Sequence, residues 1–578
     1  MKKRFFYIIT GILCLWFKYG FCQENFVTQF EKSNGLETAA YYDVIAYYQN
    51  LATAYPTITV DSMGITDSGE RLHLVTFDPE RNFDFDSNRK NKRILLINNG
   101  IHPGEPDGID ATMMLFRDYA SGQLKAPKNT IIATIPIYNI GGSLNRNSGT
   151  RANQNGPKEY GFRGNSRNYD LNRDFIKCDT ENAKSFAEIY HLVNPDVFID
   201  NHVSNGADYQ YVLTHLFTQH NKMGGPMGAF IHETFRPQLE QELSSKSWDI
   251  TPYVNVFNAV PEKGFSQFMD YPRYSTGYTT LWGTLGMMLE THMLKPYKQR
   301  VEGTYLFMQT VVNLTETHGE KIRVFKEQQT TKYKPNESYP LDYKIDTTRF
   351  STLEFKGYEG EIITSEVTGL SRLKYHRDQP FSKQVNYQNY FVPSVEVDIP
   401  KAYIIPQGWH HVIELLKLNQ IEMTQIQKDT TISVESYRIQ SFETRNSPYE
   451  GHYLHYNTQI LSSKVEKTFR AGDFIINTQQ KGIRYLLETF EPQAPDSFFN
   501  WNFFDTILQQ KEGFSPYVWE DKASEMLKQN PDLKREFENK KYTDGNFAKN
   551  WYAQLEWLFQ KSDNYEAAHM NYPIYRIN

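Results

Sequence analysis

The chain has 578 residues, with 62 Lys+Arg against 68 Asp+Glu for a formal net charge of −6, and 39% hydrophobic residues. That length suits about three or four domains with cores that need no metal or disulfide staples, and the composition excludes disorder and collagen-like repeats. The mildly acidic balance excludes a general nucleic-acid binder, whose phosphate contacts favour a basic surface, while 38 Phe, 39 Tyr and 8 Trp leave a 15% aromatic content to be placed.

Lys2-Lys3-Arg4 precede an uncharged, mainly apolar run from Phe5 to Phe17. The run is too short to span a bilayer comfortably and suits the apolar region of a secretory signal. Gly20 and Cys22 are the small residues that a cut before Gln23 requires. Residues 1–22 therefore read as a signal peptide, and the mature chain as periplasmic or extracellular. It should lack a membrane span, since no later segment reaches about 18 consecutive apolar residues. Cleavage would remove Cys14 and Cys22, leaving Cys178 with no internal disulfide partner. Cys178 reads as a small buried hydrophobe.

From about residue 38 to 320 the pattern alternates strands and helices. Ile94 to Ile97 is a short apolar run stopped by Asn98-Asn99-Gly100, as expected of a buried parallel strand. Ile109, Met113, Phe116 and Ala120 recur at helical spacing. Ile131 to Tyr138 reads as a strand near an edge or bend, because Pro136 interrupts it. A helix from Thr180 to Val193 has a threonine cap and stops at Asn194-Pro195. Asp196–Asp200 and Leu285–Leu289 complete a mixed, mostly parallel sheet flanked by helices, an α/β fold over residues 23–324. Residues 325–348 lose periodicity and read as a linker. Residues 349–578 read as a mixed α+β extension: strands over 349–400 and 430–480, helices at 409–418, 481–489, 520–540 (broken at Pro531) and 546–560. Aromatic residues concentrated there, including Tyr387, Tyr390, Phe391, Phe498, Phe499, Trp501, Phe503 and Phe504, are expected to pack a core.

His102-Pro103-Gly104-Glu105 directly follows the Ile94–Ile97 strand. Imidazole nitrogen and carboxylate oxygen suit zinc, and an open catalytic site takes two His and one Glu with a fourth position for water. The spacing alone is weak, since about one chance His-x-x-Glu is expected in such a chain. His411…Glu414 is another, but it lies in an amphipathic helix and reads as a polar face. His232-Glu233 lacks the second His of a helical zinc motif, because position 236 is arginine. His102 and Glu105 stand apart because their Gly/Pro loop lies at the C-terminal end of a strand, where α/β sheets place their sites. His202 and Glu290 follow two further strands in the same way. Three strand ends delivering His/Glu, His and Glu toward one edge point to a zinc hydrolase.

Over residues 38–320 the chain resembles the zinc metallocarboxypeptidases of the carboxypeptidase A type, and in particular a bacterial branch with a long C-terminal extension. The family's His-x-x-Glu loop matches His102 and Glu105, and its later strand-end His matches His202. Its Asp-x-Asn-Arg segment matches Asp170-Leu171-Asn172-Arg173. The resemblance implies one zinc on His102, Glu105 and His202, with Glu290 as general base and Asp170 orienting a ligand histidine. It implies that Asn172 and Arg173 hold the free C-terminal carboxylate of a peptide substrate. The arginine that stabilises the oxyanion falls on Arg163, with Arg151 and Arg167 nearby. The substrate-capping tyrosine is left open among Tyr271, Tyr274 and Tyr278, of which Tyr274 and Tyr278 are taken as substrate-binding candidates. The implied function is zinc-dependent exopeptidase. A zinc deacylase acting on N-acyl amino acids and a non-catalytic surface-binding protein are the alternatives. No charged residue lies between Arg273 and Glu290, where the family shapes its side-chain pocket. That favours apolar or aromatic C-terminal residues, unless Asp270, just outside this stretch, faces the pocket.

Overall fold

A computed structural model describes residues 26–578; the expected signal peptide lies outside the described residues. In chain order the first strands are β1 (Ile58–Ile65), β2 (Arg71–Phe77), β3 (Arg93–Asn98), β4 (Thr130–Ile135), β5 (Val197–Ser204), β6 (Leu213–Phe217), β7 (Ile250–Pro252), β8 (Phe265–Ser266) and β9 (Leu285–His292). All but β8 join one eight-stranded sheet of order β1-β2-β4-β3-β5-β9-β6-β7. Its centre, β4-β3-β5-β9, is parallel, and β3, β4 and β5 are buried along their whole length. Ile94–Ile97, Ile131–Ala133 and Val197–Ile199 are continuous apolar runs within them, as expected where helices cover both faces of a sheet.

The sheet is mixed and mostly parallel, as the sequence indicates. The helices Asp107–Ala120, Glu181–Val193 and Tyr297–Thr331 flank it. Thr180 caps the second of these, its side chain accepting from Ala183 N–H at 3.1 Å, and Asn194 ends it in the left-handed region at φ 41°. The first and third are tied by a buried ion pair, Arg300 Nε to Asp107 Oδ2 at 3.0 Å.

Two expectations change here. β4 is an interior strand between β2 and β3, and Pro136 terminates it rather than marking an edge: the ladder stops at Ile135, so no sheet hydrogen bond is lost to the ring. The 325–348 segment is not an unstructured linker. The long helix runs through it to Thr331, and Ser338–Ile345 pairs antiparallel with Phe391–Asp398. Its polar composition reflects one-sided exposure of both elements, which hides the helical and strand periods from a reading of the sequence.

The C-terminal region is stitched into the same body. A long hairpin, Ser351–Thr364 with Ser371–Gln388, adds to β8 through the parallel register Tyr387↔Phe265. A six-stranded sheet follows. Helices Pro516–Gln529, Pro531–Thr543 and Trp551–Phe559 enclose a small core of their own around Trp519, Phe537 and Leu555. One hydrophobic cluster runs from Phe30 to Ile574 and includes both the central sheet and the helix Ile483–Phe490. Phe498, Phe499, Trp501 and Phe504 are fully buried, so core packing accounts for much of the aromatic surplus. Cys178 is buried too, and its thiol is pushed up by that burial.

Candidate active site

The carboxyl ends of β3, β5 and β9 converge on a cavity of about 600 Å³ lined by His102, Glu105, His202, Glu290, Asn172 and Arg173. His102 and Glu105 sit in the loop after β3, where Glu105 N–H donates to His102 O at 2.8 Å. Gly104 lies between them because the Arg151 side chain passes close by: a Cβ at 104 would stand 2.6 Å from Arg151 Cδ. That approach lets Arg151 Nη1 reach Glu105 Oε1 at 2.8 Å. His202 and Glu290 lie within strands β5 and β9, as direct cross-strand partners.

Donor atoms from His102, Glu105 and His202 all lie within 4.8 Å of one another, and the three residues are buried. Each histidine is backed by a carboxylate on its far nitrogen. His102 Nε2 is 2.9 Å from Asp170 Oδ1, and His202 Nε2 is 3.0 Å from Asp200 Oδ2. The other nitrogens, both Nδ1, face Glu105 at 3.3 and 3.2 Å. Buried His102 Nδ1 has no hydrogen-bond partner, a costly arrangement unless a ligand fills it. Two imidazoles with outer carboxylates and one glutamate form a donor set that fits zinc. Arg151 first, then His102, outweigh the burial of Glu105 and hold its carboxyl well below the usual range.

Asp200 is a further member of the site that the motifs in the sequence do not mark. It is fully buried and accepts from Asn98 Nδ2–H at 3.0 Å and Ser275 Oγ–H at 2.6 Å. Its signal was present, since residues two apart on a strand share a face and Asp200 stands two before His202.

Asp170 organises the other flank. It caps the short 3₁₀ turn Leu171–Arg173, accepting from Asn172 N–H at 2.9 Å. Its second oxygen takes Arg163 Nη2 at 2.9 Å. Burial opposes its charge, but His102 and then Arg163 and Arg173 keep the carboxyl well below its ordinary value. The Arg173 guanidinium lies over the Tyr274 ring at 4.7 Å, and Asn172 Oδ1 receives Ser275 N–H at 3.4 Å.

Of the three candidate arginines, Arg151 and Arg163 line the cavity. Arg167 turns away to Asp179 O at 3.1 Å. Tyr274 lines the cavity, edge-on to Phe268 at 5.0 Å. Tyr278 does not reach it. That side chain is fully buried, with its hydroxyl donating to Asn419 Oδ1 at 2.6 Å, so a substrate-binding role for Tyr278 is withdrawn. Tyr278 lies within the helix Ser275–Thr280, whereas Tyr274 precedes it in extended conformation and so points elsewhere. Tyr271 is tied to Asp342 Oδ1 at 2.9 Å. The discarded His411 and Glu414 are exposed on the polar side of helix His410–Leu418.

A buried His–Glu–His cluster at the strand ends of a mostly parallel sheet, beside a further carboxylate, belongs to the class of metal-dependent hydrolases. Residues 44–197 match the family model described as zinc carboxypeptidase. Over that stretch the chain is similar to the zinc carboxypeptidases, a family of metallopeptidases. Carboxypeptidase 2 of Trichophyton rubrum is 20% identical over 433 residues, covering 70% of this chain and 72% of the relative. Carboxypeptidase 2 of Trichophyton equinum is 19% identical over 425 residues, with the same coverage. Among solved structures, carboxypeptidase A of Helicoverpa armigera superposes with a TM-score of 0.36 at 14% identity, over 49% of this chain and 74% of that one.

Proposed function

We propose that the protein is a zinc-dependent carboxypeptidase that removes the last residue of peptides with a free C-terminus. The observation that carries this reading is the convergence of the His102, Glu105 and His202 donors in one cavity with Glu290 and Arg173. His102, Glu105 and His202 would hold one zinc ion, which when bound acidifies a water and polarises the scissile carbonyl. Glu290 takes the proton from the attacking water and passes it to the leaving amine. Burial pushes its carboxyl up to about 7, with His202 opposing and Glu105 adding to the shift, which suits a group that must both accept and return a proton. Arg163, with Arg151 beside it, supplies positive charge where the carbonyl oxygen gains negative charge. Asn172 and Arg173 receive the terminal carboxylate, a planar guanidinium being well shaped for it. Asp170 fixes the tautomer of His102.

The test compares one peptide with a free and an amidated C-terminus. The amidated form should resist cleavage, and Arg173→Ala should raise KM for the free form about 30- to 150-fold, the loss of about 2–3 kcal/mol of charge-assisted hydrogen bonding. Equal cleavage of both forms by the wild type would overturn the exopeptidase reading. Hydrolysis of N-acyl amino acids without cleavage of peptides would favour a deacylase instead.

Leu216, Tyr253, Phe268 and Met288 line the cavity near Tyr274. Asp270 does not face it: that carboxyl is fully buried and accepts Gln219 N–H at 3.3 Å. A C-terminal Phe is therefore preferred over Lys, with kcat/KM higher by at least about 30-fold, the equivalent of about 2 kcal/mol for burying the ring. Competition between two peptides differing only in that residue measures it. Export rests on residues 1–22; among the described residues no helix is long and apolar enough to cross a membrane.

A further inference from the structure

The turn that carries Asn172 and Arg173 is held from behind by the C-terminal region. Glu450, 280 positions further along the chain, accepts the backbone N–H of Asp170 at 2.8 Å. The loop around it is a tight one, in which Tyr449 and His452 exchange backbone hydrogen bonds at 2.7 and 3.1 Å. Three further contacts seat it. His452 Nε2 meets Asp179 Oδ2 at 2.7 Å. The Tyr449 ring stacks on buried Trp501 with centroids 6.0 Å apart. Gly451, at φ +81°, lies so close to Tyr169 that a Cβ there would stand 2.5 Å from its hydroxyl. The same region also braces the opposite side of the turn. Asp496 accepts from both the backbone and the guanidinium of Arg273, at 2.8 and 2.7 Å, and Arg273 directly precedes the Tyr274 that stacks on Arg173.

We propose that Glu450 is a positioning residue for the substrate's C-terminal carboxylate: by anchoring Asp170 N–H from the 445–453 loop, it sets the turn that presents Asn172 and Arg173. The inference rests on the exopeptidase reading above. Glu450 is not among the residues that line the cavity, so its effect passes through the placement of Asp170 and the turn after it. A guanidinium that must meet a carboxylate with two parallel hydrogen bonds tolerates little displacement. The consequence is that the C-terminal region takes part in substrate recognition.

The test uses the full chain, zinc-loaded, with a blocked peptide ending in Phe and with free phenylalanine as a binding probe. Glu450→Ala should raise KM about tenfold, leave kcat within about twofold, and weaken phenylalanine binding in calorimetry by about the same tenfold. Glu450→Gln keeps an oxygen that accepts the Asp170 N–H, and should restore KM to within about twofold of wild type. Gly451→Ala pushes the loop off Tyr169 by another route and should reproduce the KM rise, which keeps the inference testable if Glu450→Ala does not fold. Wild-type KM and phenylalanine affinity in folded Glu450→Ala, or equal defects in the Gln and Ala variants, would overturn it. Failure of the wild type to distinguish free from amidated ends would instead overturn the exopeptidase reading, so the two failures are separable.

Discussion

Replacing Glu290 by glutamine is expected to lower kcat by about 10²- to 10⁴-fold, the range for losing a positioned general base, with bound zinc still near one ion per chain. The amide is nearly isosteric with the carboxyl but cannot accept the proton of the attacking water. Glu290 stands outside the cluster of His102, Glu105 and His202 whose donor atoms converge, so the metal should remain. His202→Ala is the matched control. It deletes a ligand, leaves buried Asp200 with only Asn98 and Ser275 as partners, and should lose metal and activity together. Metal analysis beside single-peptide kinetics separates the two cases. A Glu290→Gln protein within about tenfold of wild-type kcat would remove Glu290 as the base, and an unchanged metal content in His202→Ala would remove that residue as a ligand.

The parts of this site that could be read from sequence are those with a local signature. A four-residue apolar run ending in Asn-Asn-Gly marks β3, and the buried pattern of that strand bears out the reading. His102, His202 and Glu290 then followed from the tendency of such sheets to place their chemistry at strand ends. Asp170-Leu171-Asn172-Arg173 is likewise a local turn, with its capping acid in sequence. The partners that brace these residues have no such mark. Asp496 meets Arg273 across 223 positions and Glu450 meets Asp170 across 280, and nothing near residue 450 or 496 indicates what either acid will face. The placement of Tyr278 is hidden for a related reason. Sequence places three tyrosines in one loop, but only the backbone geometry at the start of helix Ser275–Thr280 decides which points into the cleft.

Removing residues 349–578 is expected to leave no cooperatively folded protein. Their separation in sequence suggests a detachable extension, but the contacts do not. Arg484, fully buried, donates to the carbonyls of Thr280 and Lys222, both at 3.0 Å. Tyr278 would lose Asn419, and Trp282 would lose the ring of Tyr485, stacked at 5.8 Å. Arg273 would lose Asp496 together with the rings of Tyr449 and Trp501 that lie over its guanidinium. Each large apolar side chain newly exposed along the shared core costs about 1.5–3 kcal/mol. Whole domains are stable by only about 5–15 kcal/mol, so exposing about five such side chains exhausts the margin. Soluble yield and a thermal melt followed by circular dichroism measure the outcome for a chain ending at residue 348. A soluble monomer with a cooperative melt and wild-type hydrolysis would show that the first part folds and works alone, and would also remove the need for any brace at Asp170 or Arg273.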